Sequence, residues 1–252
     1  MTINAPTAAQ IPHLRQLWKQ AFEDTDAFLD GFFSKGFSLK RSRCVTLDGI
    51  PVAVLYWFDF RWQDKKLAYL YAVATHTAYQ GQGLCRALME DTHRHLLSLG
   101  YHSSVLVPGS RQLFSLYKKL GYQPFCPMET VTAEPGGHPA NIRSIDHATY
   151  EELCQSYLPQ DGVIPAGSTL EFFASYGQFF AGENTLFCLS REDDTVYFEE
   201  FWGDRACIPE ILTALQAGKG VLRLPGGNMP FAMYRSLTQD SALPSYLGFA
   251  MK

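Results

Sequence analysis

Ile11, Leu14, Trp18 and Phe22 recur at helical spacing behind Thr7-Ala-Ala-Gln10, a capping-box sequence, and predict an amphipathic first helix. A second begins near Thr25 and carries Phe28, Leu29, Phe32 and Phe33 on one face, an aromatic stripe that reads as core, a share of which could line an acceptor pocket. Cys44–Leu47 and Ile50–Phe58 flank Asp48-Gly49, the dipeptide suited to a tight type I′ hairpin. After a polar break at Gln63-Asp64 a third strand runs through Leu67 to Thr75. The Gly81 to Gly83 loop then opens a helix to about Leu99, which Gly100 ends. A strand through Val105 to Val107, a helix from Arg111 to Leu120 stopped by Gly121, and a closing strand from Tyr122 to Thr130 follow. This order predicts an α/β fold with a mixed sheet and helices packed on it.

Glu134-Pro-Gly-Gly-His-Pro139 has the composition of a linker and places a boundary near residue 136, giving domains at 1–134 and 140–252. The second half echoes the first. Val105-Leu-Val-Pro-Gly109 returns as Val221-Leu-Arg-Leu-Pro-Gly226 with one inserted residue, Phe114-Ser-Leu-Tyr117-Lys-Lys-Leu120 as Phe231-Ala-Met-Tyr234-Arg-Ser-Leu237, and Leu120-Gly-Tyr122 as Leu247-Gly-Phe249. Upstream, Thr185–Leu189 and Thr195–Trp202 read as a hairpin turning near Asp193-Asp194, and Pro209–Leu215 as a helix. Two halves of one architecture are expected.

Apolar residues make up 46% and charged residues 18% of the 252 positions, a composition that folds. The longest apolar stretch, Ile50 to Phe58, is far short of the ~20 residues a membrane span needs, and the polar N-terminus lacks a signal-peptide pattern, so a cytoplasmic protein is expected. Six cysteines without a CxxC pair (Cys44, Cys85, Cys126, Cys154, Cys188, Cys207) indicate neither a metal site nor a disulfide framework. A net charge of -4 with no basic cluster argues against nucleic acid as partner.

The chemistry concentrates where the third strand hands over to a helix. Gly81 and Gly83 there can present unpaired backbone N–H groups to an anion, aided by the helix dipole, with no Cβ to block close approach. The pattern alone also fits a plain strand-to-helix turn, and both the P-loop and the three-glycine dinucleotide fingerprint are missing.

Thr75-His-Thr-Ala-Tyr-Gln80-Gly-Gln-Gly83-Leu-Cys-Arg-Ala-Leu88 resembles motif A of the GNAT superfamily of N-acetyltransferases, whose core is Gln/Arg-x-x-Gly-x-Gly/Ala after a strand. Gln80 and Gly83 match, and Cys85 stands where Gly or Ala is usual. Leu116-Tyr117-Lys118-Lys119-Leu120-Gly121-Tyr122 is similar to the family's later Leu-Tyr-x-Lys-x-Gly-Phe motif, and Ser110 occupies the place of an Asn that often contacts the cofactor. The resemblance covers most of residues 1 to 130. With the echo, it implies two GNAT-like halves in tandem.

It further implies bound acetyl-CoA, with pantetheine along Val73, Ala74 and Thr75 and pyrophosphate held by Gln80, Gly81, Gln82, Gly83, Leu84, Cys85 and Arg86. Tyr117 matches the family's general acid for the departing thiolate; an ordinary core tyrosine is the alternative. The acceptor would be an amine, and the acidic balance favours a cationic small molecule or a lysine side chain. Candidate bases are Glu23, Asp24, Asp26 and His76, each of which also reads as a solvated charge, helix cap or surface group. In the second half the loop position reads Trp202-Gly-Asp-Arg-Ala-Cys207, whose Asp would repel phosphates, so that copy is expected not to bind coenzyme A. Glu199 and Glu200 on its strand could face an acceptor pocket. A non-catalytic acyl-CoA sensor and a structural protein are the competing expectations.

Overall fold

In the computed structural model, which describes residues 1–240 and 242–250, β1 (Thr2–Asn4) leads into the capping box at Thr7, where its N–H donates to Gln10 Oε1 at 2.9 Å. The box closes a short 3-10 turn that runs on as α1 (Ile11–Ala21), burying Leu14, Leu17 and Trp18. Thr25 caps α2 (Asp26–Gly31), its hydroxyl accepting the Phe28 N–H at 3.2 Å, and a π-turn over Phe32–Gly36 prolongs the helix. Of the expected aromatic stripe, Leu29 and Phe32 are buried while Phe28 and Phe33 are half-buried, and the Trp18 ring centre lies 4.6 Å from that of Phe32 and 5.5 Å from that of Tyr56. Both ring pairs are tilted, and aromatic pairs at such distances add to what ring burial alone supplies.

The hairpin forms as the dipeptide dictates. Asp48 and Gly49, with φ of 47° and 84°, join β2 (Ser42–Leu47) to β3 (Ile50–Trp62) in the left-handed pair that a type I′ turn needs. Every residue of β3 from Val52 to Phe58 is buried, as in a strand covered on both faces. Then come β4 (Lys65–Thr75), α3 (Leu84–Ser98), β5 (Ser103–Leu106) and α4 (Arg111–Lys119). The strands order as β1-β2-β3-β4-β5, with β4 and β5 parallel across the α3 crossover. Leu84, Leu88 and Leu96 of α3 and Tyr117 of α4 pack with Ala53, Leu55 and Trp57.

Next in the chain are β6 (Gln123–Ala133), β7 (Ile142–Ile145), α5 (His147–Tyr157), β8 (Val163–Pro165) and α6 (Ser168–Phe173). The hairpin strands β10 (Leu186–Glu192) and β11 (Thr195–Trp202) follow β9 (Gly177–Gly182), and α7 (Ile208–Ala214) connects β11 to a parallel β12 (Lys219–Ser236). Strands here order as β7-β9-β10-β11-β12. The succession strand, two helices, three strands, helix, parallel strand thus occurs twice, with only the short β8 interposed in the second round.

Two expectations need correction. The chain divides into a unit of Met1–Phe60, Lys65–Gln123 and Met233–Ala242 and a unit of Arg61–Asp64, Pro124–Ala232 and Leu243–Lys252, not into consecutive halves parted near residue 136. Glu134 to Pro139 is irregular, but β6 has already joined the second unit before it. Second, Phe231–Ser236 is strand where its echo, Phe114–Lys119, is helix. Met233 to Ser236 pair with Leu106 back to Ser103, and this ladder outweighs the local helical pattern. Among the described residues no helix is long and apolar enough to cross a membrane.

Glu200 on β11 is 1% exposed and accepts the Tyr150 hydroxyl at 2.8 Å. Burial pushes its carboxyl up to about 7, against a smaller opposing pull from the Tyr150 bond. An unfolded chain ionises this group from about pH 4.5, whereas the folded chain keeps the proton until about pH 7, so stability falls as pH rises through that window. Thermal unfolding at pH 8 should show Glu200→Gln more stable than the parent, by up to about 3 kcal/mol, with the advantage shrinking towards pH 4.5. Equal stability at both pH values would contradict the buried-proton account.

Candidate active site

The parallel ladder between β4 and β5 is short. It pairs Leu67, Ala68 and Tyr69 with Ser103, Ser104 and Val105 and then stops. Beyond it, Ala72 adopts φ of 47°, a left-handed conformation that costs a residue with a Cβ about 1 kcal/mol and bends the strand. Val73, Ala74 and Thr75 therefore leave the ladder with no β5 partner, and Val73 and Thr75 are half-buried. An extended ligand could pair with this edge as another strand would.

Five residues on, the glycine loop is built by its own side chains. Gln80 Nε2 donates to the Thr75 carbonyl at 3.2 Å and Gln82 Nε2 to the Ala78 carbonyl at 3.3 Å, folding the loop back against the strand end. Gly81 and Gly83 hold φ of 75° and 78° with open space where a Cβ would project. Gly83 is the N-cap of α3, and the first backbone bond of the helix runs from Ala87 N–H to the Gly83 carbonyl at 3.0 Å. The backbone N–H groups of Gly81, Gln82, Gly83, Leu84, Cys85 and Arg86 make no hydrogen bond to any described residue. Six consecutive donors at the positive end of a 15-residue helix form an anion cradle.

Tyr117 reaches this region from α4. It is 7% exposed, its ring packs edge-on to Tyr122 at 5.8 Å, and its hydroxyl has no protein partner among the described residues. Burial, with a smaller contribution from nearby Cys85, raises the phenol above its usual value, so it carries its proton throughout the neutral range. Burial likewise raises the Cys85 thiol, which suits it to packing behind the loop and not to attack. Ser110, the exposed N-cap of α4, makes no side-chain cap bond and keeps its hydroxyl available. Arg86 is exposed and lies 3.8 Å from Glu90.

The base candidates fare differently. Asp24 accepts the Trp18 indole N–H at 2.8 Å, Asp26 pairs with Lys19 at the start of α2, and His76 Nδ1 accepts the Ala78 N–H at 3.2 Å. Three of the four are thus engaged in local structure, and Glu23 is exposed. Glu200 lies in the buried Tyr150 contact, and Glu199 forms an ion pair with Arg223 at 2.5 Å while accepting Ser190 Oγ at 3.0 Å. The six N–H donors follow from the loop sequence. The strand opening does not, because nothing at Ala72 signals a left-handed residue.

Residues 2–125 match the family described as acetyltransferase (GNAT) domain. The GCN5-related N-acetyltransferase from Kribbella flavida shares the fold at a TM-score of 0.74 and 15% identity, over 93% of this chain and 70% of that one. A putative acetyltransferase from Pyrococcus horikoshii does so at a TM-score of 0.66 and 15% identity, over 99% of this chain and 94% of that one. For the GCN5-related N-acetyltransferase from Anabaena variabilis the values are 0.68 and 14%, over 94% and 73%. At such identities the likeness is one of fold. No protein of curated function matches significantly in sequence.

Because a Cβ at Gly83 meets nothing within 4 Å, replacing it tests backbone conformation alone. Gly83→Ala should cost about 1–2 kcal/mol in urea unfolding. A neutral result would mean that the loop relaxes out of its left-handed turn.

Proposed function

We infer that this chain, which belongs through residues 2–125 to the GNAT acetyltransferase superfamily, moves an acetyl or other short acyl group from a coenzyme A thioester to an amine. The observation that carries this reading is the row of six unpartnered N–H groups from Gly81 to Arg86, set directly after a strand edge that has lost its ladder partner. A pyrophosphate suits the first, since oriented backbone donors at a helix start stabilise negative charge. A pantetheine arm suits the second, because its amides can pair with Val73, Ala74 and Thr75. Ser110 offers a further hydroxyl at the head of α4.

In this reading the amine attacks the thioester carbonyl and the coenzyme departs as a thiolate. Tyr117 gives that sulfur its proton, a role for which a phenol kept neutral by burial is suited. The ties at Asp24, Asp26 and His76 leave the amine's own proton to a relay through water. The acceptor we favour is cationic in its resting form, in keeping with the acidic balance of the chain. The recurrence of element order supports a tandem of two GNAT-like halves, with the first unit, which carries the Gly81–Gly83 loop, as the coenzyme-binding half and the second unit as a copy that has lost its glycine loop.

Calorimetric titration with acetyl-CoA should give a Kd of roughly micromolar order. Gly83→Glu should abolish it, its carboxylate occupying the cradle. No binding to the parent protein would reject the reading. Binding without thiol release across an amine panel would replace the enzyme by an acyl-CoA sensor. With an accepted amine, Tyr117→Phe should slow thiol release about 10²-fold or more while leaving acetyl-CoA affinity within about twofold. Since the phenol's usual value is 10.0 and burial raises it, any alkaline loss of rate due to Tyr117 should fall above pH 10.

A further inference from the structure

A cleft of about 520 Å³ runs along the outer side of α3 and is closed by the end of α4 and the last residues of β12, all within the first unit. Arg86, Arg94, Lys119 and Arg235 line it, and Glu90 is the one carboxylate among its lining residues. In a chain with a net charge of -4 this is a marked local excess of positive charge. Arg86 approaches Glu90 at 3.8 Å in an exposed pair that holds little energy, and exposed Arg94 approaches the half-buried Asp91 at 3.5 Å, a carboxylate already paired with Arg43. Lys119 and Arg235 form no ion pair with any described residue.

Arg235 is also held in place. One of its guanidinium N–H groups donates to the Leu120 carbonyl, and a Cβ at Gly121 would sit 3.4 Å from its Cζ, so glycine clears the space in which the guanidinium lies. A second observation is independent of these charges. His93, 5% exposed, lines the same cleft with its Nε2 2.8 Å from the Tyr122 hydroxyl, while its Nδ1 is buried without a hydrogen-bond partner. Tyr122 is in turn 2.7 Å from Ser104 Oγ. If the proton order runs Ser104 to Tyr122 to His93, Nδ1 carries the imidazole proton and is a donor in need of an acceptor. Burial and the adjacent Arg235 both hold His93 neutral.

We propose that this cleft is a binding site for a phosphoryl anion, separate from the glycine loop, with Arg235, Lys119 and Arg94 supplying charge and His93 Nδ1 supplying a buried donor. Guanidinium groups suit the oxygens of a phosphate monoester, and a buried N–H left unpaired costs free energy that a bound oxyanion would recover. The proposal does not depend on acyl transfer. The phosphoryl group could belong to a free phosphate ester or to the 3′-phosphate of coenzyme A, whose pyrophosphate the loop before Arg86 would hold.

The test is a titration of the full chain with inorganic phosphate at constant ionic strength, read by the ¹⁵N shift of His93 Nδ1 and by calorimetry, on the parent, on Arg94→Glu/Lys119→Glu and on Gly83→Glu. Both reversed positions are exposed, so the double variant should fold. The site predicts saturable binding with a shift at His93 Nδ1, weakened at least about tenfold in the double variant and changed less than about twofold in Gly83→Glu. Competition by coenzyme A but not by 3′-dephospho-coenzyme A would identify the ligand as the coenzyme's own phosphate. Competition by neither would identify a separate ligand, and both outcomes uphold the site. Absence of binding, binding indifferent to the double reversal, or binding lost only in Gly83→Glu would overturn it. Loss of acetyl-CoA binding in Gly83→Glu bears on the acyltransferase reading alone, which keeps the two failures distinguishable.

Discussion

The acyltransferase reading of the first unit depends on where one parallel ladder ends. Up to Tyr69 and Val105, β4 and β5 satisfy each other's backbone groups. Past that point the strands part, and an interior strand acquires an edge. The left-handed turn at Ala72 keeps the edge from re-pairing, while Gln80 ties the following loop back to Thr75, the last residue of the strand. One strand end therefore carries both an unpaired edge and a row of free N–H groups. Two kinds of unmet hydrogen bonding in succession suit a ligand with an amide-bearing arm and an anionic head.

The second unit repeats the geometry and cancels it. Its parallel ladder also stops, at Phe198 and Leu222. The next residue on each strand is Glu199 and Arg223, and they meet in an ion pair at 2.5 Å with Ser190 on the remaining carboxylate oxygen. The corresponding residues of the first unit, Leu70 and Leu106, are apolar core. A nearly buried carboxylate, 2% exposed, is tolerable only when paired and hydrogen-bonded, and here both conditions hold across the gap itself. In the second unit an ion pair thus spans the point at which the ladder ends, where the first unit has two buried leucines.

What the sequence announced was local. Asp48-Gly49, Thr7 to Gln10, Thr25 and the glycine pair at 81 and 83 each fix backbone within a few residues, and each forms as its chemistry requires. Features assembled from distant residues were not legible. The cationic cleft needs Arg235 beside Leu120, and the first unit needs Met233 beside Leu106. The segment Phe231 to Ser236 carries a helical spacing that only its ladder overrules. Asp24 and His76 were equally opaque as base candidates, because a neighbouring indole N–H and a backbone N–H claim them and no pattern along the chain reports such contacts.

Strand β12 serves both units. Lys219 to Leu222 complete a ladder in the second, and Met233 to Ser236 complete one in the first. During synthesis the first unit must therefore wait: the antiparallel partner of β5, Met233 to Ser236, follows it only after β6 to β11 have been made. Until then one side of β5 is an open template for pairing with other chains, the exposure that slow, non-local sheet topologies share. The sheet of the first unit is thus completed only after most of the second unit has been made, although its other strands precede nearly all of that unit in the chain.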